Sequence, residues 1–188
     1  PNLRNSGHDA KAVMIVDNTR GADAIITNNP AIRTVEDLAG RKVAMLQFTP
    51  SHGMTIDAID NSSLSARKKQ TVQYVYINAE DGLAGVRAAL ESGSVDAAVL
   101  WDPDLSLAIR STRSRVIYST KTASNLIFDV IVCDQRGLND AQGREAVQKL
   151  VHGWMKGVDA AEAGPDGAVD ALVKTEEFFT LLAKDEGK

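Results

Sequence analysis

Four short stretches of this chain hold the residue types able to do chemistry, and each of them suits gripping a small molecule better than breaking a bond. Thr49-Pro50-Ser51-His52 precedes apolar residues at helical spacing (Met54, Ala58, Ile59), so two hydroxyls, an imidazole and the first N–H groups of a helix converge there. Such a set holds a sulfonate, phosphate or carboxylate; the alternative is that Thr49 or Ser51 only caps the helix. Asn78-Ala79-Glu80-Asp81 marks a second strand-to-helix turn, where Asn78 offers an amide and Asp81 can complement the helix dipole. Trp101-Asp102-Pro103 follows an apolar run directly, which places a carboxylate and an indole at the end of a strand, the indole either walling a pocket or packing in the core. Asp129 interrupts the apolar run 126–132, and a buried carboxylate is costly unless paired, so it calls for a ligand amine or a hydrogen bond at a strand end. The candidate ligand-binding set is therefore Thr49, Ser51, His52, Asn78, Trp101, Asp102 and Asp129.

Catalytic and metal-binding patterns are not visible. The histidines, at 8, 52 and 152, have no metal-ligand spacing, and the chain has no G-x-S-x-G elbow, Walker loop or H-E-x-x-H motif. Cys133 is the single cysteine and sits inside the run 130–133, the setting of a small buried hydrophobe. Glu36 and Asp37 are sequence neighbours, so they face different directions on a helix, which suits solvent. No catalytic residue, metal or cofactor is expected. A net charge of −4, with one short basic cluster at 66–70, lacks the electrostatic footprint of a nucleic-acid binder. No apolar stretch approaches 18 residues, so no membrane-spanning helix is expected.

The elements that must position these loops follow from periodicity. Short apolar runs at 12–17, 22–27, 42–46, 72–77, 97–100, 115–118 and 126–132 read as strands. Leu83, Val86, Arg87 and Leu90 recur at i, i+3, i+4 and i+7, a helix stripe that ends at Gly93. Thr34 to Ala39 forms a shorter helix stopped by Gly40, with Thr34 and Asp37 spaced as a capping box. Helices are also expected over 104–110, 140–163, 168–173 and 176–182. Two units in which a helix stops at a glycine and turns into a buried strand define an α/β lobe, whose strand ends face a crevice where ligands meet loops and helix N-termini.

With these segments placed, the chain resembles the periplasmic solute-binding proteins of ABC importers, in the branch that takes up sulfonates, taurine, nitrate, bicarbonate or thiamine precursors. The carriers are residues 21–26, 34–44, Thr49-Pro50-Ser51-His52 and the stretch 90–103. The resemblance implies a periplasmic-binding-protein-like α/β fold, a three-layer sandwich with a mixed, mostly parallel sheet. Residues 34–112 would form a second lobe, with 11–33 and 113–188 as part of a first. A full member begins with a further strand-helix-strand-helix stretch, so the chain is expected to be a fragment or excised domain. The implied role is capture of a small anionic or zwitterionic solute in the periplasm or cell envelope, with an ABC permease as partner. Two truncated chains could complete each other as a swapped or homodimeric assembly. The rival expectations are a sensory or scaffold domain of a larger envelope protein, and an enzyme of the same fold serving pyrimidine-precursor or menaquinone synthesis.

Overall fold

Apolar runs of about five residues, each bounded by turn formers, become the strands of a five-stranded sheet in the computed structural model, which describes residues 7–176 and 179–180. In chain order the elements are β1 (Ala10–Asn18), β2 (Asp23–Thr27), a 3-10 turn (Val35–Leu38), β3 (Lys42–Leu46), α1 (Pro50–Asp60), α2 (Ala66–Lys69) and β4 (Gln73–Ile77). There follow α3 (Gly82–Glu91), β5 (Ala97–Trp101), α4 (Asp104–Thr112), β6 (Arg115–Ser119), β7 (Phe128–Asp134), α5 (Gln135–Asn139), α6 (Ala141–Ala163) and α7 (Pro165–Thr175). The helix expected over 176–182 falls largely outside the described residues.

The sheet order is β4-β3-β5-β2-β6. Helical crossovers join β3 to β4 and β4 to β5, so β3 pairs in parallel with both neighbours, Val43 standing opposite Tyr74 and Ala97. β2 inserts antiparallel between β5 and β6, with Asp23 opposite Trp101 and Ile25 opposite both Val99 and Tyr118. The sheet is mixed, as the fold class requires, but its parallel part is half rather than most of the ladders, because β2 enters without a helical crossover.

Strand alternation gives the sheet two covered faces. Ile25, Val43, Met45 and Val99 pack against Met54, Ala58 and Ile59 of α1, while Ala24, Ile26, Ala44, Ala98 and Leu100 pack against α3 and α4 through Val86, Leu90, Leu105 and Ala108. Helix layers on both faces explain why these strands are apolar throughout rather than alternating. The helix-to-strand turns depend on Gly40 and Gly93, with φ of +75° and +70°. At the second, the Ser94 N–H reaches back to the Ala89 carbonyl, closing the helix end before β5 begins.

Backbone contacts divide the chain into two units: residues 15–130, and the described residues among 1–14 and 131–188. The first holds the whole five-stranded sheet. Its strands β2 and β6, which lie outside 34–112, are laddered through β2 to β5 and to each other. The other unit contains α5, α6, α7 and the outer parts of β1 and β7. Asp140 caps α6 by accepting the Gly143 N–H at 2.8 Å. Neither α6 nor α7 has a buried residue, and Leu150, Trp154 and Met155 on the apolar stripe of α6 are each about half exposed. Cys133 is half-buried in β7 rather than enclosed.

Candidate functional site

Where β2 begins, β5 ends and β7 begins, the unit 15–130 opens into a concavity of about 380 Å³. Four carboxylates line it: Asp17 from β1, Asp23 from the first position of β2, Asp102 just after β5, and Asp129 in β7. Trp101, Pro50 and Ile127 supply its apolar walls. The antiparallel register that sets Asp23 opposite Trp101 is what brings the first two segments together. The Thr19 N–H to Ile127 carbonyl bond, at 3.1 Å, holds the third.

Asp23 is the electrostatic centre of this concavity. It is 6% exposed, and its Oδ1 accepts a 2.6 Å hydrogen bond from Ser51 Oγ at the start of α1. Burial raises its pKa above the ordinary carboxylate value, the charges of Asp129, Asp102 and Asp17 push the same way, and the Ser51 hydroxyl opposes them. Asp102 turns part of its capacity inward, accepting from the Ser106 N–H at 3.1 Å and the Ser106 hydroxyl at 2.6 Å in the first turn of α4. Asp129 is exposed, so burial does not demand a partner for it as the sequence suggested.

A second concavity, of about 370 Å³, lies past the C-terminal ends of the parallel strands β3 and β4, between Phe48, Thr49, Tyr76 and Asn78. Thr49 caps α1, accepting the His52 N–H at 3.3 Å while its own hydroxyl donates to the Leu46 carbonyl at 2.9 Å. His52 Nδ1 accepts the Phe48 N–H at 3.1 Å, which leaves the proton of a neutral ring on Nε2, 3.4 Å from the Tyr76 hydroxyl. The imidazole also meets the rings of Phe48, Tyr74 and Tyr76 edge-on. Phe48 is 84% exposed and has a φ of +62°, a left-handed backbone held by a non-glycine residue.

The seven candidates thus separate. Trp101, Asp102 and Asp129 share the acidic concavity; Thr49 and Asn78 share the other, with His52 bonded beside it. Ser51 is 1% exposed and acts through Asp23. Thr49, Ser51 and Trp101, expected around one ligand, do not line one concavity, and Thr49 is committed to capping. Asp17 and Asp23 were missed, although Asp23 directly before Ala24-Ile25-Ile26 is the same signal that singled out Asp129, a carboxylate attached to an apolar strand. Glu36 and Asp37 serve the backbone: Glu36 accepts from Ser63, which holds its carboxyl down to about 2, and Asp37 accepts the N–H groups of Arg33 and Thr34. Among the described residues no group of three or more His, Cys, Asp or Glu is arranged to hold a metal ion, and no helix is long and apolar enough to cross a membrane.

Comparison with known proteins finds the signature of a family described as NMT1/THI5 like over residues 4–168. An aliphatic sulfonates-binding protein of Escherichia coli strain K12 is 34% identical over 93 residues, covering 50% of this chain and 27% of that protein. The solved structure of the periplasmic aliphatic sulphonate binding protein SsuA from Escherichia coli superposes with a TM-score of 0.76 at 24% identity, covering 92% of this chain and 56% of the other. The desulfurization enzyme DszB, solved with biphenyl-2-sulfinic acid, shares the architecture at a TM-score of 0.65 and 18% identity, covering 92% and 62%. The chain therefore spans about a quarter of the curated relative and just over half of the solved binding protein, and its fold is one that hosts both binders and an enzyme.

Proposed function

The chain belongs to the NMT1/THI5-like family, and from that membership we propose that it is the ligand-gripping part of a solute-binding protein that delivers a small organic solute to an ABC permease from the periplasm or cell envelope. The observation that carries this reading is the concavity at the meeting of β2, β5 and β7, where Trp101 and four carboxylates from four separate segments surround one small volume. Charged groups placed on rigid strand ends around an aromatic wall orient a solute without attacking it. The two Escherichia coli proteins described above are named for binding aliphatic sulfonates, which supports a solute with a sulfonate or comparable anionic end. The exposed amide of Asn78 in the second concavity is a donor available to such an oxyanion.

A binder rather than an enzyme is favoured by the side chains themselves. His52 is engaged by Phe48 and Tyr76, the hydroxyl of Ser51 is committed to Asp23 on a residue only 1% exposed, and Cys133 lines neither concavity, so among the described residues none of these three is a nucleophile open to a solute held there. The test is thermal unfolding of the protein against sulfonates, phosphonates, nitrate, bicarbonate and pyrimidines. A ligand at 100 times its Kd adds about 2.7 kcal/mol of stability, a readily measured rise in Tm. A panel that leaves Tm unmoved, or chemical conversion of any member, overturns the proposal.

A further inference from the structure

We propose that His52 is a positioning residue for the second concavity: with a neutral ring its Nδ1 holds the Phe48 N–H and so keeps the Phe48 side chain on the wall, and with a protonated ring it lets go. This goes beyond the solute-binding reading and stands whichever solute is bound.

Phe48 lines the concavity with Thr49, Tyr76 and Asn78 on a left-handed backbone of φ +62°, a conformation that disfavours any residue with a Cβ. Burial of its side chain does not compensate, because Phe48 is 84% exposed. Its own N–H supplies the restraint, donating to His52 Nδ1 at 3.1 Å. That acceptor is fixed from two elements. His52 lies in the first turn of α1, where its N–H donates to the Thr49 hydroxyl oxygen, and its ring meets Tyr74 and Tyr76 of β4 edge-on at centroid distances of 6.4 and 5.4 Å. A helix and a strand thus dictate the backbone of a loop residue through one ring nitrogen.

Protonation reverses that contact. An imidazolium carries a hydrogen on both nitrogens, so Nδ1–H would point at the Phe48 N–H, donor against donor, and histidine changes charge between about pH 5 and 8. The groups around the ring do not replace the lost acceptor. β4 presents the phenols Tyr74 and Tyr76, and burial, then the charges of Asp60 and Tyr76, raises the Tyr74 pKa above its ordinary value. Of the acids on α1, Asp57 is bound by Asn61 and by Tyr118 of β6, and Asp60 acts on Tyr74. β2 meets α1 through Asp23 at Ser51, and the 3-10 turn commits Glu36 to Ser63 and Asp37 to Arg33 and Thr34. β5 carries no charged residue, and the one charge of β3, Lys42, stands at its far end. The second concavity therefore keeps its Phe48 wall at neutral pH and loses it in acid.

Amide hydrogen exchange of the whole chain, followed by NMR at pH 8 and pH 5 and corrected for the intrinsic pH dependence of exchange, tests this across the span in which histidine changes charge. Protection of the Phe48 N–H should fall at least fivefold at the lower pH, while the Asn61 N–H, which donates to the Asp57 carbonyl at the other end of α1, keeps its protection. His52→Asn, whose Oδ1 takes the place of Nδ1 and does not titrate, should retain Phe48 protection at both values. In wild type the Phe48 amide shift should titrate with the midpoint of the His52 ring, a comparison that needs no variant. Phe48 protection that does not change with pH, a response that survives His52→Asn or is shared by Asn61, or a midpoint different from that of the His52 ring overturns the proposal.

Discussion

Replacing Ser51 by alanine tests the electrostatics of the acidic concavity directly. The Ser51 hydroxyl is 1% exposed and donates to the Asp23 carboxylate at 2.6 Å, a buried bond to a charged acceptor. Bonds of that kind contribute about 1.5–3 kcal/mol, and removing the donor leaves the acceptor desolvated. Ser51→Ala should therefore destabilise the chain by about 2 kcal/mol at neutral pH, which for a protein of this size lowers Tm by about 4–8 °C. The pH dependence carries the sign. Burial, and then the charges of Asp129, Asp102 and Asp17, hold the Asp23 pKa above its ordinary value; the Ser51 bond is what lowers it, so the variant's Asp23 rises further. The folded protein then binds this proton more tightly than the unfolded chain does. The penalty of Ser51→Ala is full while Asp23 is ionised and shrinks as pH falls through its raised pKa. By the same argument Asp23→Asn, which removes a buried like-charged group, raises Tm at neutral pH, and this advantage closes as pH is lowered. Urea unfolding of wild type, both single variants and the double variant at several pH values between 4 and 8 measures all of this. A Ser51→Ala penalty that does not change with pH, or an Asp23→Asn variant less stable than wild type at neutral pH, refutes the reasoning.

Other substitutions probe the scaffold. Leu90→Ala empties a fully buried position between α3 and the sheet and should lower the unfolding free energy by about 2–5 kcal/mol in urea titrations. Gly93→Ala meets open space but a φ of +70°, so its cost of about 1–2 kcal/mol is conformational. Gly53→Ala, in ordinary helical backbone of α1 with equal room, should instead raise stability by up to about 1 kcal/mol. Asp96→Ala removes the carboxylate that accepts the Lys42 N–H at 2.9 Å and stands 3.5 Å from Arg41, and should lose about 1–2 kcal/mol by thermal or chemical unfolding.

Local chemistry made much of this protein legible in one dimension. The stripe ending at Gly93, the stop at Gly40 and the five-residue apolar runs each specify their own element, because a helix period, a positive φ and a doubly buried strand leave marks within a few residues. The same marks say nothing about pairing between segments distant in the chain. Only the folded sheet places β2 antiparallel between β5 and β6, and only that register sets Asp23 against Trp101 and beside Asp102, while the Thr19–Ile127 backbone bond links the segments that carry Asp17 and Asp129. Thr49, Pro50 and Ser51 show the limit at closest range: adjacent in sequence, they are turned by about 100° per residue as α1 begins, so one faces the second concavity, one walls the acidic one and one is buried against Asp23. Residue types reported that a polar solute could be held; the direction each side chain takes, and so the sign of the charge that meets it, was decided by tertiary packing.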